Sequence, residues 1–192
     1  MTDLILASTS LYRKSILEKL GIPFTMESPD IEEHPCEGES AENLVLRLAE
    51  EKATAVAVRH ARGLVIGSDQ VAVLHNRILG KPHTHQNAVL QLKACRSQRI
   101  TFLTGLSVIN CESGSIRSCV EPFHVHFRDL EDQQIETYLK IDRPYDCAGS
   151  FKSEGLGISL FTRFEGDDPN TLVGLPLIRL IEMLGQEGVK VI

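Results

Sequence analysis

The sequence predicts an α/β fold in which a mixed β-sheet is covered by helices. Short apolar runs of strand length alternate with segments of helical periodicity along the chain. Two long apolar segments joined at Ser113-Gly114 form one antiparallel hairpin within that alternation. No repeat, low-complexity tract or Pro/Ser-rich linker interrupts it, so the 192 residues are expected to form a single domain, 1–192.

The elements follow in order. Residues 4–7 read as a short buried strand. Ser8-Thr9-Ser10 then leads into a helix with Ile16, Leu17 and Leu20 on its apolar face, ended by Gly21 and Pro23. A short strand near Phe24 precedes the acidic loop Asp30-Ile31-Glu32-Glu33-His34-Pro35. Ser40 is placed to cap a long helix over 41–59. Residues 64–74 form a long strand, turned at His75-Asn76 into Ile78 and Leu79. A helix is expected over 86–94, strands over 99–111 and 116–127, and a helix over 130–140. A glycine-rich loop spans 149–157, and a last helix 172–184.

Bulk properties narrow the partners. A formal charge of −6 argues against coating nucleic acid or an anionic membrane, but leaves room for a small anionic ligand. The five cysteines contain no Cys-x-x-Cys pair, which removes a zinc knuckle and suits reduced thiols in the cytosol. The start MTDLILASTS lacks the basic residues and long apolar stretch of a signal peptide, and no apolar segment approaches the ~20 residues of a membrane span. A cytoplasmic protein is expected.

Five places could carry chemistry. Ser8-Thr9-Ser10-Leu11-Tyr12-Arg13 lies where a strand hands over to a helix, with hydroxyls and a guanidinium suited to phosphate. The plainer alternative is that Ser10 caps the helix while Arg13 is solvated. Lys52 falls inside the apolar stripe Val45, Leu48, Ala49, Ala53, Val56, and so either meets an anion or snorkels to water. Gly67-Ser68-Asp69-Gln70 interrupts a strand apolar on both sides. A carboxylate there serves a metal or a hydrolytic water, unless a turn or bulge at Gly67 satisfies it. Gly80-Lys81-Pro82 and Gly149-Ser150-Phe151-Lys152-Ser153-Glu154-Gly155 read, taken alone, as surface turns.

Other features are set aside. His124 with His126, and His83 with His85, lack a third ligand nearby in sequence. Cys147 has no identifiable base. Glu131, Asp132 and Glu136 look like a solvated helix face, and neither a Walker A loop nor a G-x-S-x-G elbow is present.

Taken together, LILASTS-x-x-R, the Glu-Glu of the acidic loop, RLAEEKA, GSDQV, GKP, VHFR, AGSFKSEGLG and VGLPL resemble the Maf family of nucleotide pyrophosphatases in order and spacing. Gln70 and the FKSEG loop look like the subfamily acting on 7-methyl-GTP rather than on dTTP and UTP. The resemblance implies a mixed twisted sheet with helices and a deep central cleft, of the Maf/ITPase-like kind. It further implies a role in nucleotide house-cleaning, with homodimers common.

By that resemblance Asp69 is the catalytic carboxylate, near a divalent metal cation (Mg²⁺ or Mn²⁺), and Glu33 helps hold the cation, with Glu32 a lesser contributor. Lys52 and Lys81 assist catalysis by gripping the triphosphate with Ser8, Ser10 and Arg13, and Lys152 joins the substrate-binding set. Tyr12, Gln70 and Glu154 match positions that set base choice. Leu11 stands where the family usually has proline, and Lys14 where arginine is common. Loss of a proline at the first helical position loosens the turn without removing a donor.

Two other functions fit the same resemblance. One is a nucleotide-binding regulator of septum formation without turnover, and the other is the same hydrolysis on dTTP or UTP.

Overall fold

The computed structural model describes residues 3–192. In chain order the elements are β1 (Leu4–Ala7), α1 (Leu11–Leu17), β2 (Thr25–Glu27), α2 (Ala41–Ala57), β3 (Leu64–Leu74), β4 (Arg77–Leu79) and α3 (His85–Cys95). There follow β5 (Arg99–Asn110), β6 (Ile116–Phe127), α4 (Asp132–Asp142), β7 (Phe161–Glu165), α5 (Asn170–Val173) and α6 (Leu177–Gln186). Short 3₁₀ turns cover Glu18–Leu20, Ala148–Ser150 and Leu156–Leu160.

The strands lie in the order β2-β1-β3-β5-β6-β7, with β4 against β3. β1 is parallel to both neighbours, whereas β4 and β7 pair antiparallel. The sheet is therefore mixed, as the alternating pattern required. None of the described helices is long and apolar enough to cross a membrane.

The chain forms two compact units. The first comprises the chain through Gln70 with Leu103–Glu121 and Asp168–Ile192; the second comprises Val71–Phe102 and Pro122–Asp167. Within the first unit, strand alternation sorts side chains onto two faces. Leu4, Leu6, Leu64, Ile66, Leu106 and Val108 pack against Ile16 and Leu17 of α1 and Leu177, Leu180, Met183 and Leu184 of α6. On the opposite face Ile5, Ala7, Val65 and Ile109 meet Ala53 and Val56 of α2.

The second unit has an aromatic core. Six of the seven phenylalanines, Phe102, Phe123, Phe127, Phe151, Phe161 and Phe164, touch with ring centroids 4.8 to 5.8 Å apart. Most of the pairs are edge-to-face, an arrangement worth about 0.5–1.5 kcal/mol each beyond area burial.

Local signals work as their chemistry demands. The Ser10, Ser40 and Thr84 hydroxyls accept the backbone N–H three residues on and cap α1, α2 and α3. His75 and Asn76 turn β3 into β4 with both φ angles positive, as a tight hairpin of this twist needs.

Two expectations need correction and one strand was missed. The helix expected over 172–184 is broken into α5 and α6. Gly174 is left-handed (φ 113°), and Pro176, which has no N–H to donate, precedes the first residue of α6. β7 was not foreseen, because it is half exposed and carries no clean alternation. The helix start expected at 130 falls at Asp132, where the Glu131 side chain and Gln134 form a capping box.

Candidate active site

In the first unit the site begins where β1 ends. Ser8 is buried and its hydroxyl oxygen accepts the Ser10 N–H at 3.1 Å. The Ser10 hydroxyl oxygen accepts the Arg13 N–H at 3.4 Å. Both serines thus shape the turn as acceptors, which leaves each hydroxyl proton free to be donated.

Arg13 is more than a solvated surface residue. Its Nε donates to the Gly174 carbonyl at 2.8 Å, which fixes the guanidinium while its terminal nitrogens bond to none of the described residues. Burial pulls the Arg13 pKa down, and the negative charges of Asp69 and Glu33 pull it up. The group stays charged, because a guanidinium does not deprotonate in proteins.

The centre of the unit depends on two absent side chains. Gly67 on β3 and Gly105 on β5 both face α2. A Cβ added at Gly67 would lie 2.1 Å from the Ala49 carbonyl oxygen, and one at Gly105 would lie 2.0 Å from that of Val45. The helix therefore rests backbone-to-backbone on the sheet. No turn interrupts the strand at Gly67, since β3 runs from Leu64 to Leu74 through it.

Asp69 lies two residues on and faces the same way as Gly67, because strand side chains alternate. It is 7% exposed, and its Oδ1 accepts a 2.7 Å hydrogen bond from Lys52 Nζ. Lys52 is 4% exposed and therefore does not snorkel. Its ammonium also meets Glu33 Oε1 at 2.8 Å, joining the acidic loop to the same cluster. Among the described residues no group of three or more His, Cys, Asp or Glu side chains could hold a metal by itself. The convergent carboxylates are two, Asp69 and Glu33.

Next to them, the Gln70 amide nitrogen donates to Thr104 Oγ1 at 2.8 Å and to the Thr171 carbonyl at 2.6 Å. Ser68 Oγ is within 2.8 Å of the Gly105 carbonyl and 3.0 Å of Gly174's. Thr104, Thr171 and Gly174 were not singled out from the sequence, although VGLPL carries one of them. They brace Gln70 and Arg13 from distant parts of the chain.

In the second unit Lys81 is exposed beside buried Pro82. Lys152 donates its backbone N–H to the Tyr138 hydroxyl at 3.0 Å and its Nζ to the Asp142 carbonyl at 3.2 Å. Glu154 is exposed and accepts from the Ser153 hydroxyl. Lys152, Glu154 and Lys81 each lie within electrostatic range of Cys147. Burial pushes the Cys147 thiol up, away from the thiolate a nucleophile needs.

Of the remaining candidates, Tyr12 is half exposed on α1. Glu32 is exposed in the acidic loop. His124 meets Thr101, His126 meets Glu165, and His85 meets Tyr145 and Glu136, so these histidines are engaged separately.

A profile of the Maf family, described as Maf-like protein, matches residues 3–187. The chain belongs to that family. It is 57% identical to the 7-methyl-GTP pyrophosphatase of Vibrio vulnificus over 99% of this chain and 97% of that one. It is 55% identical to the 7-methyl-GTP pyrophosphatase of Pseudomonas aeruginosa over the whole of both chains. A solved structure described as the Staphylococcus aureus Ham1 protein superposes with a TM-score of 0.46 at 15% identity. It covers 67% of this chain and 73% of that one.

Proposed function

We propose that the protein hydrolyses the α–β phosphoanhydride of a nucleoside triphosphate to the monophosphate and pyrophosphate, with 7-methyl-GTP as its substrate. One observation carries this reading. Asp69 is buried in the middle of an apolar strand against Lys52, with Glu33 on the same ammonium and Arg13 within electrostatic reach. The names of the relatives supply the substrate.

The chemistry follows from these groups. Asp69 accepts a proton from the water that attacks the α-phosphorus. Lys52 and Arg13 offset the charge that develops on the departing pyrophosphate. The Ser8 and Ser10 hydroxyls donate to phosphate oxygens, and Lys81 and Lys152 add cationic contacts.

The residues present fit a divalent cation, Mg²⁺ or Mn²⁺, held by Asp69 and Glu33. Mg²⁺ is typically bound through one or two carboxylates plus substrate phosphates and retained waters, so a third protein ligand is not required. Such an ion polarises phosphate oxygens and lowers the pKa of a bound water.

For the base, the positive charge that N7 methylation places on guanine favours stacking on Tyr12. The Glu154 carboxylate accepts from guanine's N1–H and exocyclic amine. The amide nitrogen of Gln70 is committed to Thr104 and Thr171, so only its carbonyl oxygen is presented to a ligand.

The test is a substrate panel of 7-methyl-GTP, GTP, dTTP and UTP at fixed Mg²⁺, with pyrophosphate and monophosphate both quantified. Preferred turnover of 7-methyl-GTP supports the reading. Preference for dTTP or UTP removes the substrate assignment, and nucleotide binding without pyrophosphate release removes the hydrolase in favour of a binding regulator.

A further inference from the structure

We propose that Arg47 is a positioning residue for Glu33, holding the acidic loop so that this carboxylate can serve the cation; the inference rests on the functional reading above. Residues 28–36 have no regular structure, yet Glu33 must be delivered to one point beside Lys52. Three groups on α2 and the turn that follows it hold this stretch. Near its start, Arg59 Nη1 donates to the Ser28 carbonyl. In the middle Lys52 meets Glu33. Beyond Glu33, Arg47 Nη2 donates to the carbonyl of His34, the very next residue, at 3.1 Å.

The Arg47 guanidinium is itself fixed on its other sides. It makes a two-pronged pair with Glu39, Nε to Oε1 at 2.7 Å and Nη2 to Oε2 at 2.8 Å. Its Nη1 donates to both carboxylate oxygens of Glu51 at 3.1 Å. Glu39 in turn accepts the Cys36 backbone N–H at 3.0 Å, which closes the turn that follows Glu33.

An ordinary surface ion pair contributes little and would say nothing about function. This arrangement differs in two respects. The Glu39 side chain is 10% exposed, and the fork geometry is one that only arginine supplies. Moreover, two of the contacts end on backbone atoms just after Glu33, the His34 carbonyl and the Cys36 N–H, so their loss releases the loop rather than a side chain. Arg47 pulls the Glu39 carboxyl down to about 2, so the pair is ionised wherever the enzyme works. Arg47 and Lys52 are five residues apart on one helix, so a single rigid element sets both the ammonium and the loop that meets it.

The test compares wild type with Arg47→Met, Arg47→Lys and Glu39→Gln. Two quantities are read: Mn²⁺ affinity of the nucleotide-free protein by calorimetry, and the Mg²⁺ concentration giving half-maximal pyrophosphate release. Arg47→Met is expected to weaken both about tenfold, the scale of lost outer-shell support at metal sites. At saturating Mg²⁺ its kcat returns to near the wild-type value, with nucleotide KM unchanged. Arg47→Lys, which keeps the charge without the fork, falls between.

A folded Arg47→Met protein with unmoved Mn²⁺ affinity and Mg²⁺ requirement overturns the proposal. So does a loss of rate that excess Mg²⁺ fails to recover. Should Arg47→Met not fold, Glu39→Gln decides by the same two readouts, a weakened affinity supporting the proposal and an unchanged one overturning it. Wild type that releases no pyrophosphate would instead sink the functional reading, while the Mn²⁺ isotherms still judge Arg47.

Discussion

Lys52 Nζ and Asp69 Oδ1 are 2.7 Å apart, and both side chains are closed off from solvent where α2 lies against β3. Breaking such a buried pair on one side strands a charge, whereas replacing both partners by apolar groups need not.

Lys52→Met should therefore lower stability by about 3–5 kcal/mol. Lys52→Met combined with Asp69→Leu should recover much of that loss. Urea unfolding midpoints of the single and double variants read the difference. Equal destabilisation in both would show that the pair is not coupled.

Asp69→Asn keeps an acceptor for Lys52 but cannot take a proton. Pyrophosphate release should fall by about a hundred- to ten-thousandfold, the usual contribution of a general base. The melting temperature should fall as well, because the Lys52 ammonium loses its buried counter-charge, so turnover is compared well below it. Undiminished turnover would assign proton acceptance elsewhere.

Gly67→Ala places a methyl group 2.1 Å from the Ala49 carbonyl oxygen. It should cost about 1–3 kcal/mol as overpacking and also reduce turnover, because α2 must lift and carry Lys52 away from Asp69. Gly80→Ala, whose Cβ meets nothing within 4 Å, is the matched control and should be silent. Similar behaviour of the two variants would remove the close-seating argument.

Asp132 on α4 is held down to about 2 by Lys93 and then Arg96 on the α3 side. Its folded pKa lies below the unfolded value near 3.8. The stabilisation is therefore complete above about pH 4 and is lost as pH falls toward 2. Between those limits wild type should lose stability more steeply than Asp132→Asn. Parallel pH profiles from thermal melts would contradict this.

Much of the fold was legible because its signals are local. β3 falls over 64–74 as read, Ser40 caps α2, and the turn at His75-Asn76 is where its residue types place it. Asp69 could be found because a polar residue inside a two-sided apolar strand needs a partner. What stayed hidden depends on distant chain. Glu33 reaches Lys52 across 19 residues, and the Gly174 carbonyl that orients Arg13 is 161 residues away. The break before α6 was hidden for another reason. Apolar periodicity continues across Gly174-Leu175-Pro176, so the pattern masked the two residues that interrupt it. For Ser10 and Arg13 the competing readings were both partly right: the serine does cap the helix, and the arginine is nevertheless tied inward.

The bare stretch at Gly67 and Gly105 has a consequence for variation in this chain. A methyl at Gly67 should touch no ligand group, yet should shift the counter-ion of the carboxylate two residues away. Positions tolerant of nothing but hydrogen thus seat the helix that carries Lys52. A survey of inactive variants should find as many of them in these empty positions as among the charged ones.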